Sequence, residues 1–200
     1  MLKYSPQTGF EIVGVGYNRT LGGLDFQISL RNYLAEKFQS IHKTKINVYS
    51  NSKAMVKLFR EATKVKKVLS ANKYDYAQIE NVMEDCDLNF KISRDLFVSI
   101  NQDYLKSILD PVKMALKNSK LNMNNISEVI LYGGATRMPI VQDILQKHFN
   151  RNLGKMLNTD EAAALGSAYF GAKLLYPDDF KVNTYIVFFC KSEWSKILTK

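Results

Sequence analysis

Two pairs of adjacent glycines are the residues whose type and position best suit chemistry in this sequence. Gly22-Gly23 and Gly133-Gly134 each stand between a predicted strand and a predicted helix. Because glycine lacks a Cβ, backbone N–H groups there can approach a phosphate or a flat base, and the helix N-terminus behind them adds a positive field. A tight turn from strand to helix uses glycine for geometry alone, so each pair taken singly leaves both interpretations open. Neither pair fits the G-K-[ST] or the G-x-G-x-x-G phosphate-binding pattern.

Three further segments carry polar side chains that suit the same ligand. Lys66 and Ser70 are four residues apart on a predicted helix, so a cation and a hydroxyl share one face that could hold ribose or phosphate oxygens. A solvated basic face explains these two residues equally simply. Arg137 follows the second glycine pair, where its guanidinium can lie against a purine ring, hold a carboxylate or form a structural ion pair. Asp160, at a predicted helix start, can cap the helix or contact a ligand.

No catalytic or metal-binding set can be assembled from the remaining residues. His42 and His148 are isolated from each other and from any suitable serine and aspartate. Cys86 and Cys190 have neither C-x-x-C spacing nor histidine partners, so we interpret both as ordinary thiols. We therefore assign no catalytic residue and no metal ligand.

Hydrophobic periodicity predicts the elements that must position these residues. In order, we predict a strand over residues 10–15, a helix from Asp25 with Phe26, Leu30, Leu34 and Phe38 on one face, a second helix with an apolar stripe from Met55 to Leu69, a hairpin of 76–83 with 88–92, a long helix from an N-cap at Ser93 through Ile108, and a separate helix from Pro111. A strand over 129–132, a helix from Pro139, a last helix from about 159–161 and a buried strand over 185–190 complete the order. This order indicates α/β or α+β architecture with a helix-plus-hairpin subdomain inserted between about Gly22 and Ile100.

Length and composition limit the classes of protein that remain. The chain has 200 residues, of which 46% are hydrophobic and 24% charged, as expected for one globular domain or half of a larger one. Its longest apolar run, Tyr185–Cys190, is far shorter than the roughly 20 residues that span a bilayer. The net charge of +9 is spread over scattered lysines without a basic–aromatic motif, so we predict neither a nucleic-acid nor a membrane partner. A basic wall that faces nucleotide phosphates is a simpler use for part of this charge.

Four segments, taken in their order, resemble the second lobe of the nucleotide-binding domain in the seventy-kilodalton heat-shock family. They are Leu21–Phe26 (LGGLDF), Lys66–Ser70 (KKVLS), Gly133–Pro139 (GGATRMP) and Asn158–Gly166 (NTDEAAALG). Spacing and order agree over roughly residues 9–175, so the resemblance is more specific than any single motif. Further residues are similar to the large endoplasmic-reticulum branch of that family, namely Leu24, Val68–Asn72 and Ala135.

The resemblance implies an α/β fold of the actin-like ATPase type, in which two lobes enclose a nucleotide cleft. By this resemblance, residues 1–21 and 101–175 form the mixed sheet-and-helix base of the second lobe, 22–100 form an inserted tip subdomain, and 176–200 are a divergent tail. The matching positions are Gly22 and Gly23 in the loop near phosphates and ribose, Lys66, Lys67 and Ser70 on the adenosine-contacting helix, Gly133, Gly134, Ala135 and Arg137 in the adenosine-binding turn, and Asp160 in the lining of the same pocket.

Three departures from the family pattern alter the expected contacts. Thr63 stands where ordinary members place an acid that contacts the ribose, and Ala135 lacks the usual hydroxyl. Lys67 replaces an arginine that packs on adenine, and a compact ammonium has no planar face for stacking. Each lost hydrogen bond is worth about 0.5–1.5 kcal/mol, so nucleotide binding is expected to be altered without being abolished.

The implied function is that of the ATP-binding portion of a heat-shock-type chaperone that assists protein folding in the lumen of the endoplasmic reticulum. The ligand is ATP or ADP, with Mg²⁺ held mainly through a first lobe. That lobe's phosphate loop and catalytic lysine have no counterpart here, nor does the domain that binds unfolded polypeptides. The first residues, Met1–Pro6, show no apolar signal segment. We therefore expect a partial chain without ATP turnover of its own.

Two alternatives from other classes remain. Large members of the family act as nucleotide-exchange partners of ordinary members, so this lobe could be a non-catalytic interaction module for an ordinary heat-shock chaperone. The chain could also be a fragment without a function of its own.

Overall fold

Amphipathic helices and short antiparallel strands build the described part of the chain. The computed structural model describes residues 1–5, 9–154, 158 and 160–176, with only the backbone of Gly9, Phe10 and Lys173. The strand predicted over 185–190, and Cys190 with it, lies outside these residues. In chain order the elements are β1 (Leu2–Ser5), β2 (Gly9–Ile12), α1 (Gly23–Ile41), α2 (Ser52–Ala71), β3 (Tyr74–Met83), β4 (Cys86–Ser93), α3 (Arg94–Ile100), α4 (Gln102–Lys106), α5 (Asp110–Ser119), α6 (Pro139–Phe149) and α7 (Ala162–Leu175). Short 3₁₀ turns lie at Val48–Ser50, Ser107–Leu109, Met123–Asn125 and Gly134–Arg137.

The chain divides into two compact units, which we call unit 1 and unit 2. Unit 1 contains Met1–Arg19, Leu109–Gly134 and the described residues from Phe149 onward. Unit 2 contains Thr20–Ile108 and Ala135–His148.

The core of unit 2 lies between α1, α2 and the β3–β4 hairpin. The stripe predicted on α1 is confirmed, because its four members are each at most 2% exposed: Phe26, Leu30, Leu34 and Phe38. On α2 the predicted stripe is confirmed at its buried members, Leu58, Ala62, Val65 and Leu69, while the opposite face is exposed. Burial of such side chains contributes about 1.5–3 kcal/mol each, so these two helices are fixed by their apolar faces.

The predicted hairpin is confirmed in position and direction. β3 and β4 pair antiparallel from Tyr74 opposite Ser93 to Ile79 opposite Leu88, and the register shifts before the turn. Glu84 and Asp85 turn the chain with φ angles of 51° and 55°, in the left-handed region. Short polar side chains tolerate this region better than apolar ones, which is why the polar segment forms the turn.

The long helix predicted after β4 is wrong, because the structure breaks it at Asn101. Ser93 is the N-cap as predicted, its Oγ accepting from the Leu96 N–H at 3.1 Å. At Asn101 the backbone N–H is shared between the Phe97 and Val98 carbonyls at 3.3 and 3.2 Å. Its side-chain amide also donates to the Phe97 carbonyl at 2.8 Å. These local hydrogen bonds compete with the helical ladder, so α3 ends one residue earlier and α4 is a separate short helix.

Unit 1 is built around a close approach of the chain after β2 to α5. A Cβ placed on Gly16 would lie 1.9 Å from the Pro111 carbonyl oxygen, and one on Gly14 would lie 2.4 Å from that of Ala115. Asn118 secures the approach by donating its amide N–H to the Val15 carbonyl at 2.8 Å. Both glycines are therefore required by packing against a helix backbone.

The strands of unit 1 differ from the sequence prediction in three places. β1 was not predicted, and it pairs antiparallel with β2 from Leu2 opposite Ile12. The strand predicted over residues 10–15 is β2, which ends at Ile12. The strand predicted over 129–132 is reduced to a single parallel bridge between Ile130 and Gly154. Among the described residues the strands thus form two separate two-stranded antiparallel sheets, where the sequence predicted a mixed sheet. The predicted helix starts at Pro111 and Pro139 are confirmed within one residue.

Candidate functional site

The first glycine pair forms the N-terminus of α1. Gly22 is the extended N-cap residue, and its carbonyl accepts from the Asp25 and Phe26 N–H groups at 3.1 and 3.4 Å. As a glycine, Gly22 has no side chain with which to cap this helix end. Since the first N–H groups of a helix have no intrahelical acceptor, the turn presents backbone donors and the positive end of the helix dipole.

Lys66 comes to this turn from α2. Its Nζ donates to the Gly23 carbonyl oxygen at 2.8 Å. A Cβ built on Gly23 would lie 3.4 Å from the Lys66 Nζ and 3.5 Å from the Ala135 Cβ. Three predicted site residues from separate segments therefore meet around one missing side chain, and only glycine leaves the space between them open.

The ammonium of Lys66 is held in a place that disfavours its charge. Burial lowers its pKa from the ordinary lysine value, and the neighbouring positive charge of Lys67 lowers it further. A bound anion beside Lys66 would favour the charged form, so the site is suited to a negatively charged ligand.

Two neighbours on α2 that were predicted to share the site are placed differently. The Ser70 hydroxyl donates to the Lys67 carbonyl of its own helix at 2.6 Å, which engages its proton locally. The Lys67 side chain is exposed. Neither side chain contacts Gly23 as Lys66 does, although both residues lie within about one turn of Lys66 along α2.

The second glycine pair leads into a 3₁₀ turn, Gly134–Arg137, and then into α6. Gly133 has a φ of +98°, in a region that side chains rarely adopt, so its glycine is required by backbone geometry. A Cβ on Gly133 or Gly134 would meet no atom within 4 Å. The Ala135 carbonyl accepts from the Met138 N–H at 3.2 Å, which closes the turn and leaves Arg137 exposed.

The ten predicted residues divide between the two units. Unit 2 holds Gly22, Gly23, Lys66, Lys67, Ser70, Ala135 and Arg137, whereas unit 1 holds Gly133, Gly134 and Asp160. Asp160 is exposed, and its N–H donates to the Asn158 Oδ1 at 3.1 Å. Glu161, the next residue, is the N-cap residue of α7 and caps it with no side-chain hydrogen bond.

One residue beside Lys66 was missed by the sequence analysis. The side-chain amide of Gln27, on α1, donates to the Thr63 hydroxyl on α2, and that hydroxyl donates to the Phe59 carbonyl at 2.8 Å. Gln27 is four residues after Gly23, so it shares the α1 face that carries the glycine. The spacing of Gln27 from Gly23 could have indicated that Gln27 lies beside the site. Its contact with Thr63 could not be predicted, because Thr63 is 36 residues away in the sequence.

A second surface of unit 2 is strongly basic. Five exposed side chains follow one face of α2 at spacings of four and three residues, and we call them the basic stripe: Lys53, Lys57, Arg60, Lys64 and Lys67. At 1.5 Å per residue this face is about 21 Å long.

A groove of about 450 Å³ lies beside the basic stripe. Its lining comes from α2 and β3, namely Lys57, Arg60, Glu61, Lys64, Gln78, Ile79 and Glu80. Glu61 lies at its base, where one carboxylate oxygen accepts from the Lys64 ammonium and from the backbone N–H of Gln78, both at 3.0 Å. The groove contains none of the predicted nucleotide residues, so it is a separate surface.

Two searches of the described residues set limits on other kinds of site. Across residues 1–5, 9–154, 158 and 160–176, no helix has the length and apolar character needed to cross a bilayer. Within the same ranges, no three His, Cys, Asp or Glu side chains lie close enough together to hold a metal ion.

Comparison with known proteins identifies the family. A family model described as Hsp70 protein matches residues 6–186, and the chain belongs to this family. Its helices and small antiparallel sheets fit an Hsp70 ATPase-type domain. Among its relatives, hypoxia up-regulated protein 1 is 43% identical in Gallus gallus over 182 residues, 43% in Xenopus tropicalis over 182, and 42% in Homo sapiens over 184.

These relatives are much longer than this chain. Each comparison covers 90% of the chain, but only 18% of the chicken and human relatives and 28% of the frog relative. The resemblance drawn from four sequence segments is confirmed at the level of family and of the relatives matched.

Proposed function

We propose that this chain is the ATP- and ADP-binding part of an Hsp70-type chaperone of the endoplasmic reticulum, contributing one wall of the nucleotide cleft. The observation that carries the proposal is the meeting of Gly23, Lys66 and Ala135. These residues come from three segments that the sequence predicted to bind one nucleotide. They border a single small space, which a Cβ on Gly23 would fill. The lowered pKa of Lys66 supports an anionic ligand there.

The residues fit a nucleotide in both shape and charge. Backbone N–H groups at Gly22-Gly23 suit phosphate oxygens, and the Lys66 ammonium suits phosphate or ribose oxygens. We assign Gly133, Gly134 and Arg137 to the face that contacts adenosine, where the open space around both glycines leaves room for a base. Further members of the proposed site are Lys67, Ser70 and Asp160.

The proposed domain assignment makes residues 1–21 and 101–175 the base of the second lobe and 22–100 its tip. The unit boundaries at Arg19/Thr20 and Ile108/Leu109 support this assignment, whereas Ala135–His148, assigned to the base, groups with the tip in unit 2. The similarity to hypoxia up-regulated protein 1 supports the endoplasmic reticulum as the location. In the intact protein, Mg²⁺ and the groups that hydrolyse ATP would come mainly from the first lobe, and unfolded polypeptides would be held by a further domain.

Replacing Lys66 with methionine is expected to weaken ADP binding by the full chain about tenfold, which corresponds to about 1.4 kcal/mol. Methionine keeps the side-chain length but removes the charge and the donor. The dissociation constant of ADP, measured by isothermal titration calorimetry, checks this result. Lys53→Met is the matched control, because it removes one exposed positive charge from the first turn of the same helix.

Two results would contradict the proposal. One is equal ADP affinity for Lys66→Met and the parent chain, and the other is an equal loss in Lys53→Met. The second result would mean that the net charge of α2 attracts the nucleotide without a defined site.

The basic stripe and its groove favour a second candidate function, that of an interaction module for an ordinary heat-shock chaperone. Five positive charges on one exposed face suit an acidic protein surface. Glu61 and Glu80 lie within the same groove and would repel the continuous phosphate backbone of a nucleic acid. A polypeptide with mixed charges fits this pattern better than a polyanion does.

Reversing two charges of the stripe, in Lys53→Glu/Arg60→Glu, is expected to reduce capture of an ordinary heat-shock chaperone at least fivefold in a pull-down, with and without ATP. Lys43→Glu/Lys73→Glu makes the same change of charge at exposed positions of unit 2 outside the stripe. Equal capture by the two double variants would exclude the stripe as the contact. If capture by the parent chain depends on the presence of ATP, the nucleotide-binding function is favoured over the interaction module.

A further inference from the structure

Two hydrogen bonds join α1 to α2 beside the proposed nucleotide site, one turn apart. At the first, the Lys66 ammonium donates to the Gly23 carbonyl at 2.8 Å. At the second, the Gln27 amide donates to the Thr63 hydroxyl. Gly23 and Gln27 are four residues apart on α1, and Thr63 and Lys66 are three apart on α2, so each pair shares one helix face.

The orientation of the Gln27 amide follows from what Thr63 can accept and donate. A hydroxyl has one proton, and that of Thr63 goes to the Phe59 carbonyl at 2.8 Å. The Thr63 oxygen can therefore only accept from Gln27, which must present its NH₂ group. The amide carbonyl oxygen, Oε1, is left as an acceptor on a half-buried side chain.

We propose that Gln27 is a specificity-determining residue that reads the sugar of the bound nucleotide, its Oε1 accepting a hydrogen bond from a ribose hydroxyl. This inference rests on the proposed nucleotide-binding function. Thr63 is then a positioning residue, because it fixes which way the Gln27 amide faces.

Position along α1 selects the sugar over the phosphates and the base. The N-terminus of α1 at Gly23 suits phosphate, since helix N-termini bind anions. Gln27 lies about 6 Å further along the helix axis. In a nucleotide the group next to the phosphates is the sugar, and its hydroxyls are the donors that an amide oxygen requires. A phosphate oxygen, which only accepts, would be repelled by Oε1.

The test compares ATP with 2′-deoxy-ATP and 3′-deoxy-ATP, using calorimetry on the full chain and on Gln27→Met. The parent chain should bind at least one deoxy analogue about three- to tenfold more weakly than ATP, as one lost hydrogen bond predicts. In Gln27→Met, the affinity for ATP should fall to that for the analogue, so the ratio of the two affinities should approach one. Gln102→Met, an exposed glutamine of the same unit, should keep the parent ratio.

The outcomes separate this inference from the function on which it rests. If the parent chain binds none of the three nucleotides, both are overturned. If it binds ATP but Gln27→Met leaves the ratio unchanged, only the sugar-reading role is overturned. Inosine triphosphate (ITP) tests whether Gln27 contacts the base, because its base has no exocyclic amine. If Gln27→Met changes the ratio of the affinities for ATP and ITP but not the ratio for ATP and the deoxy analogue, Gln27 contacts the base and the inference fails. Thr63→Val should reduce the deoxy ratio while Gln27 is intact.

Discussion

Replacing Gly16 with alanine is expected to lower the free energy of unfolding of unit 1 by about 3 kcal/mol, the upper part of the range for overpacking. The added Cβ would lie 1.9 Å from the Pro111 carbonyl oxygen and 2.7 Å from the Ala115 nitrogen. Both are backbone atoms of α5, so no side-chain rotation relieves the overlap. The helix must move away from the segment after β2 that it packs against, and the Asn118 hydrogen bond to the Val15 carbonyl is lost with it.

Hydrogen exchange locates this effect within the chain. Amides of α5 should exchange about 100-fold faster in Gly16→Ala, because each 1.4 kcal/mol is a factor of ten, whereas those of α1 and α2 should be unchanged. Gly171→Ala is the matched control, since Gly171 lies inside α7 with no atom within 4 Å of an added Cβ. That control should be neutral or stabilising by about 0.5–1 kcal/mol. Unchanged exchange in α5 would contradict the packing described here.

Replacing Gly23 with valine is expected to reduce ADP affinity at least about 30-fold, or about 2 kcal/mol, and to lower the free energy of unfolding by only about 1 kcal/mol, the lower end of the range for overpacking. An alanine would meet Lys66 and Ala135 at ordinary contact distances, 3.4 and 3.5 Å. The two additional methyl groups of valine exceed that space. The flexible Lys66 ammonium can move aside, but it then loses the Gly23 carbonyl, and the Ala135 methyl cannot rotate away.

Calorimetric titration with ADP measures the affinity, and thermal unfolding monitors the fold. Leu24→Val is the control, because it places a valine at the next position of the same helical turn, where the side chain is 39% exposed. It should bind ADP as the parent chain does. If Gly23→Val also binds normally, the open space beside Gly23 is not where the nucleotide lies, and the proposed site is wrong.

Periodicity predicted the parts of the fold whose cause is local. The α1 stripe from Phe26 to Phe38 and the α2 stripe through Leu58 and Val65 are buried as predicted, because spacing along a helix fixes which side chains share a face. The hairpin turn, which the structure places at Glu84–Asp85, was equally readable, since a short polar segment between two alternating runs is typical of a turn.

Features that depend on a distant partner or on competing hydrogen bonds were missed. β1 exists because it pairs with β2, and its own four residues carry little alternation. Asn101 ends a helix whose apolar stripe continues past it, because its amide and backbone N–H share carbonyls of the preceding turn. Of the candidate site, sequence order and resemblance predicted Gly23, Lys66 and Ala135, but the Gln27–Thr63 contact joins two helices and left no pattern.

Glu61 covers part of the open border of β3. Among the described residues β3 belongs to a two-stranded sheet, so the backbone groups along its outer border have no neighbouring strand. Such borders are templates on which a strand from another molecule can pair, the first step towards fibrous aggregates. The Glu61 carboxylate accepts hydrogen bonds from the Gln78 N–H of β3 and from the Lys64 ammonium. A strand pairing there would compete with this carboxylate for the Gln78 N–H, which makes this part of the border a poorer template for polymerisation.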